Sequence, residues 1–143
     1  MLAMIVGCRT APKRAPVDLS GPGWQVRQGQ ALWRSKRDAP EIAGEIVLAT
    51  NVDGRGFVQF LKNPLPLLTA QVGPAGWQVE FVPEARLIAG RGKPPSQLIW
   101  LQMLRALQGL TPSQDFVFGK EAERTVIENR WTGEKVTLFL NEG

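Results

Sequence analysis

The sequence predicts a mainly β chain of the α+β class: an antiparallel meander of about seven or eight strands with one main helix. Two observations carry this. Short segments with a two-residue apolar period recur between clusters of Gly, Pro, Asn and Asp, and the period changes once, to helical spacing, after Pro94-Pro95-Ser96. The third observation is the helix itself, whose apolar face is broader than one side of a surface helix requires. That breadth predicts a helix embraced by the concave face of a curved antiparallel sheet, with Trp100 or Met103 bordering an apolar hollow. A core helix that fills its sheet and leaves no hollow is the alternative.

Each element has its own signature. Residues 24–33 read as a first strand with Trp24 and Val26 on one face, and Gly29 would allow a bulge that re-phases Leu32 or Trp33. Residues 41–50 follow, with Ile42, Ile46 and Leu48 spaced by even steps. Asn51-Val52-Asp53-Gly54 supplies turn chemistry before a strand over 57–61. A fourth strand covers 68–72, and Gly73-Pro74-Ala75-Gly76 turns the chain into 77–81, where Trp77, Val79 and Phe81 share one face opposite Gln78 and Glu80. A short strand over 86–89 leads to the helix, with Ser96 as the expected N-cap and Gly109 as its end. Ile99, Trp100, Met103, Leu104 and Leu107 form the apolar face; Leu98 and Leu101 widen it. Phe116-Val117-Phe118 and a closing hairpin of 125–131 and 135–140 complete the chain, while 120–124 reads as a charged, solvated loop. Gly21-Pro22-Gly23-Trp24-Gln25-Val26 is echoed by Gly73-Pro74-Ala75-Gly76-Trp77-Gln78-Val79, two copies being too few for a repeat architecture.

Composition narrows the function. With 17 Lys and Arg against 13 Asp and Glu, the net charge is +4. Arg9, Lys13, Arg14, Arg27, Arg34, Lys36 and Arg37 crowd the first quarter, which suits anionic lipid, nucleic acid or a soluble tether. No long run of like charge and no RNA-binding or helix-turn-helix signature accompanies them, so nucleic acid is not expected as a partner. Histidine and tyrosine are absent, which removes the commonest general base and the Ser-His and Cys-His nucleophile pairs. Gly90-Arg91-Gly92 before Lys93-Pro94-Pro95 lacks the phosphate-loop pattern. Neither an enzyme nor a cofactor or metal site is expected.

The single cysteine, Cys8, cannot close an intramolecular disulfide. Ile5-Val6-Gly7-Cys8 resembles the lipobox read by lipoprotein signal peptidase. On that reading Cys8 is the first mature residue and carries acyl chains, 1–23 is a truncated lipoprotein signal and tether, and 24–143 is the folded domain. Seven residues precede Cys8 and none is Lys or Arg. A secretory signal has a basic start and about 7–15 apolar residues, so a start upstream of Met1 or a clipped signal is expected. Arg9 stands where an aspartate retains many enterobacterial lipoproteins at the inner membrane, which points to the outer membrane.

Leu61-Lys62-Asn63-Pro64-Leu65, running into Leu67-Leu68-Thr69-Ala70-Gln71-Val72, resembles the LolB/LolA lipoprotein-sorting family. LolB-like proteins join two strands there with Asn-Pro-Leu-Gly, then continue with a strand, a turn, a strand and an apolar helix. Pro66 replaces the usual glycine, and the region after the helix is shorter than in that family. The resemblance implies a half-barrel, lipid-anchored at the periplasmic face of the outer membrane. It would bind acylated lipoproteins, receive them from a LolA-like periplasmic carrier and help insert them into outer-membrane lipid as a monomer. It makes Leu65 the protruding residue of a membrane-insertion loop with Leu67 and Leu68. Read from the residues alone, Leu67 and Leu68 suit buried strand ends, whereas prolines on both sides favour an exposed Leu65. An acyl cavity would be lined by Ile46, Leu48, Trp77, Val79, Phe81, Trp100, Met103, Leu104 and Leu107. The rival function is a structural or partner-binding envelope lipoprotein without a cargo cavity.

Overall fold

The computed structural model describes residues 15–141. They form an open, curved, antiparallel sheet of nine strands and one short helix. The strands are β1 (Trp24–Arg34), β2 (Glu41–Asn51), β3 (Gly56–Lys62), β4 (Leu65–Gly73), β5 (Gly76–Phe81) and β6 (Arg86–Gly90), then β7 (Phe116–Glu121), β8 (Arg124–Asn129) and β9 (Lys135–Leu140). The helix α1 (Ile99–Leu107) lies between β6 and β7. The sheet order is β6-β5-β4-β3-β2-β1-β9-β8-β7. The first six strands therefore form the expected meander, but the last three do not extend it. They return to the free side of β1, where Gly29 faces Leu140 and Arg34 faces Lys135.

Three expectations need correction. The charged stretch 120–124 is not a free loop: Lys120 and Glu121 belong to β7, Glu121 pairs with Arg124, and Ala122 takes a positive φ of 47° at the turn. β8 stops at Asn129 rather than continuing to Trp131, because the Asn129 side-chain oxygen accepts hydrogen bonds from the backbone N–H groups of Trp131 and Thr132. Gly29 forms no bulge against β2, since pairing runs unbroken from Trp24↔Asn51 to Arg34↔Glu41.

Gly29 has a different role. A Cβ added there would stand 2.1 Å from the Phe139 carbonyl oxygen and 2.7 Å from the Leu140 Cα. Only a residue without a side chain lets β9 close on β1. Gly29→Ala is accordingly expected to cost about 2 kcal/mol or more, because the colliding atoms are backbone and cannot rotate away. Urea denaturation checks this; an unchanged midpoint would mean that the β1–β9 pairing yields at no cost.

The helix starts later than expected. Leu98, not Ser96, is its N-cap, and no side chain caps it. Instead the first turn is entered through the Leu98 N–H donating to the Pro95 carbonyl. The other end is as read: Gly109 takes φ +83°, its N–H bonds the Ala106 carbonyl, and the Leu110 N–H bonds the Arg105 carbonyl. This Schellman pair satisfies carbonyls that a helix end otherwise leaves bare. Ile99, Trp100, Leu101, Gln102, Met103, Leu104 and Ala106 are all buried, and the helix packs on β3, β4 and β8. The core it joins includes Ile46, Leu48, Val58, Phe60, Leu68, Val79, Ile127, Val136 and Leu138. At its centre Trp100 stacks on Phe60 at 5.4 Å, and both meet Trp33 edge-on at 5.7 and 6.4 Å.

Candidate functional site

An open groove of about 650 Å³ runs beside the exposed side of α1. Its walls come from the β2–β3 turn, Val72 of β4, the segment before the helix and the segment after it. Each wall is held by local chemistry. In the turn, the Asn51 side chain accepts from the Asp53 N–H at 3.1 Å and donates to the Pro22 carbonyl at 3.1 Å. Asp53 accepts from the Arg55 N–H at 3.0 Å and pairs with its guanidinium at 2.8 Å. The backbone bond from Arg55 is the main cause that holds the Asp53 carboxyl below its ordinary range. Arg55 also lies over the Trp24 ring, 5.0 Å from its centre. Val52 stands 94% exposed at the tip of this turn.

The opposite wall is tied to the helix. The Gln102 side-chain oxygen, buried, accepts from the Ser113 N–H at 2.7 Å, and Arg105 donates to the Thr111 carbonyl at 3.2 Å. Those bonds draw 110–113 alongside α1 and leave Leu110 about half exposed on the groove's edge. Leu101 and Leu104, both buried, form the floor with Val72. Pro94 and Pro112 add further apolar surface. Among the described residues, Lys93 and Arg105 are the charged members of the lining and none is a carboxylate.

The expected site residues fall into distinct places. Leu65 opens β4, directly after the two-residue turn Asn63-Pro64, and is 66% exposed. The Asn63–Pro64 peptide is cis. Pro66 does not break the ladder, as it pairs with Leu61 through a register shift between Phe60 and Leu61. Leu68 is fully buried in the core and Leu67 is half-buried against it. Leu68, without accessible surface, cannot touch a bilayer, whereas Leu67 keeps part of its surface and Leu65 most of it. Of the expected cavity residues, Leu104 lines the groove, and Leu48, Leu104 and Leu107 line a smaller hollow of about 90 Å³. Ile46, Trp77, Val79, Trp100 and Met103 are buried in the packed core, and Phe81 is half-buried against it. Cys8 lies outside the described residues.

Val52, Lys93, Arg105 and Leu110 escaped the sequence reading. Two of them had a signal: Val52 is the apolar member of an otherwise polar turn, and Leu110 follows the helix-ending glycine, where an apolar residue has no helical reason to be. Lys93 and Arg105 had none. Among the described residues, no three His, Cys, Asp or Glu side chains gather into a metal-binding group, and no helix is long and apolar enough to cross a membrane.

The groove and Leu65 lie at opposite ends of the sheet. β3 runs from Gly56 beside the groove to Lys62 beside Leu65, a rise of ~20 Å for a strand of that length. Trp24 pairs with Asn51, so the segment before β1 leaves the sheet at the groove end. That segment is partly fastened there, by the Asn51 bond to Pro22 and by Gln71 donating to the Ala15 carbonyl at 3.4 Å. No protein-family model matches this chain, and comparison with curated proteins finds no match.

Proposed function

We propose that this protein is a lipid-anchored envelope protein, without catalytic activity of its own, that binds acylated cargo and helps insert lipoproteins into the outer membrane. The observation that carries the reading is the groove beside α1. Its volume lies within the ~300–1,000 Å³ of small-molecule sites, its floor is aliphatic, and its edges carry exposed Val52 and Leu110. Each CH₂ of an acyl chain taken from water into such a floor contributes ~0.8 kcal/mol, so affinity needs no specific chemistry.

A half-barrel with the helix on its concave face is part of the same reading, supported by the helix's neighbours. α1 touches β3 and β4 on one arm and β8 on the other. Between β3 and β8 stand β2, β1 and β9, about 19 Å of flat sheet at ~4.8 Å per strand. A helix ~10 Å across reaches both arms only if the sheet bends around it. The density of the core on that face favours the second reading, a partner-binding lipoprotein with a filled interior. The two differ in whether the groove takes a chain.

Leu65 serves the bilayer in this proposal, from the end of the sheet opposite the groove. Between Cys8 and Ala15 the chain spans at most ~25 Å, enough for that end to reach the membrane that holds the anchor. The separation makes a clean test. Leu65→Glu is expected to leave stability within ~0.5 kcal/mol of the parent, as an exposed substitution should. It should also leave binding of a fluorescent fatty acid unchanged while reducing delivery of acylated lipoprotein to liposomes. Unimpaired delivery removes Leu65 from the mechanism, and absence of fatty-acid binding by the parent protein rejects the proposal in favour of the partner-binding reading.

A further inference from the structure

We infer that the groove beside α1 selects an anionic amphiphile, a long-chain fatty acid whose carboxylate is met by Lys93 and Arg105. The inference rests on the acyl-binding reading and adds to it the chemistry of the head group. Three observations point the same way. First, the lining is divided by burial: Leu101 and Leu104 are buried at the floor, whereas Lys93 and Arg105 are exposed at the rim. An amphiphile has the same division, with an apolar chain and a polar head that stays near water. Second, both charges of the lining are positive, and among the described residues neither enters an ion pair. Third, Arg105 is held in place by its bond to the Thr111 carbonyl. One of its five N–H donors is committed there, and the others remain for a carboxylate.

The groove's volume of about 650 Å³ is room enough for an acyl chain. The exposed side chains of Val52 and Leu110 then lie where the chain enters, and their apolar surface lowers the cost of bringing it out of water.

Isothermal titration calorimetry with three ligands of equal chain length tests this: laurate, dodecanol and dodecyltrimethylammonium, each below its aggregation concentration. Two partly solvated charge contacts are worth about a ten-fold gain in affinity. Laurate is therefore expected to bind about ten-fold tighter than dodecanol, and the cationic ligand more weakly than either. The laurate preference should shrink from 50 to 500 mM NaCl, as ions screen the contact. Lys93→Gln with Arg105→Gln should bring laurate down to the dodecanol level, read as the ratio of the two affinities within one protein because the second change also removes the bond to the Thr111 carbonyl. Lys93→Gln alone should remove part of the preference with every hydrogen bond of the groove wall intact. Equal affinities of the parent protein for laurate and dodecanol overturn the head-group assignment and leave the acyl reading standing. Binding of none of the three overturns both. Flotation with phosphatidylglycerol vesicles, without calorimetric binding of laurate, assigns the surface to a bilayer and overturns the fatty-acid assignment.

Discussion

Trp100→Ala is expected to lower the unfolding free energy by about 3–5 kcal/mol, the range for removing a buried aromatic side chain. Trp100 is 2% exposed and meets both Phe60 and Trp33, so the substitution forfeits two aromatic contacts as well as the area. The helix cannot close the gap by sliding, because Gln102 and Arg105 tie it to 111–113 and the Schellman turn fixes its end. Trp100→Phe should cost far less, about 1 kcal/mol. The indole nitrogen of Trp100 is buried with no hydrogen-bond partner among the described residues, and such a group carries a burden of ~1–3 kcal/mol. Phenylalanine keeps most of the ring contact and removes that burden. Urea denaturation of the three proteins decides the matter; equal losses for the two variants would mean that the indole N–H is hydrogen-bonded. The alanine variant also bears on function, since a hollow opened beside Trp33 and Phe60 would let fatty acid bind where the parent core excludes it.

Local pattern made the strands and the core residues legible, and it did so for a physical reason. Alternation along a strand and a period of about 3.6 residues along a helix both reveal which face is dry, so Ile46, Leu48 and Val79 on strands and Trp100, Met103 and Leu104 on the helix were identifiable as interior, and all are. Gln78 shows the limit of alternation: it reads on the face opposite Trp77, Val79 and Phe81, yet it is 2% exposed, within a run from Gly76 to Val79 that is buried on both faces. Pairing between strands adjacent in the chain was legible as a meander and a closing hairpin, but the long-range pairing was not. Nothing within 135–140 marks β1 as its neighbour; that contact depends on Gly29 admitting the backbone of Phe139 and Leu140. The groove was invisible for a related reason. Its walls come from 51–54, 72, 93–96 and 101–113, and each reads by itself as an ordinary turn, strand or helix. The prolines beside Leu65 set it apart from Leu68 in the sequence, and the register of β4 against β3 and β5 carries the difference out, one side chain outward and the other into the core.

Glu134 should make the protein less stable as pH rises from acid toward neutrality, against the usual behaviour of a carboxylate in a salt bridge. It sits half-buried at the β8–β9 turn, and burial pushes its pKa up from 4.5 to about 7. The Trp33 indole N–H, donating at 3.0 Å, favours the charged form and offsets only part of that effect. The sign follows from linkage. Between 4.5 and about 7 the folded state holds a proton that the unfolded state has released, so folding is favoured by protons. The contribution is fully present below pH 4.5 and is lost as pH rises through about 7. At ~1.4 kcal/mol per pKa unit it amounts to at most about 3–4 kcal/mol, with solvent contact reducing it. Glu134→Gln keeps an oxygen for the Trp33 N–H and cannot ionise. Subtracting the unfolding free energy of the variant from that of the parent at each pH removes the contributions of Asp18 and Asp53, whose pKa values are lowered by hydrogen bonds with Ser20 and Arg55 in both proteins. The difference should be flat below pH 4.5, fall through the interval and level off above pH 8, where the variant is the more stable protein. A difference that stays flat across the whole range would show that Glu134 is ionised and solvated. A fall should be accompanied by a change in tryptophan fluorescence, because the carboxyl is bonded to Trp33 and Trp33 packs on Trp100. The same contact couples the two effects, so Trp100→Ala, by loosening Trp33, is expected to admit water to Glu134 and flatten the pH dependence.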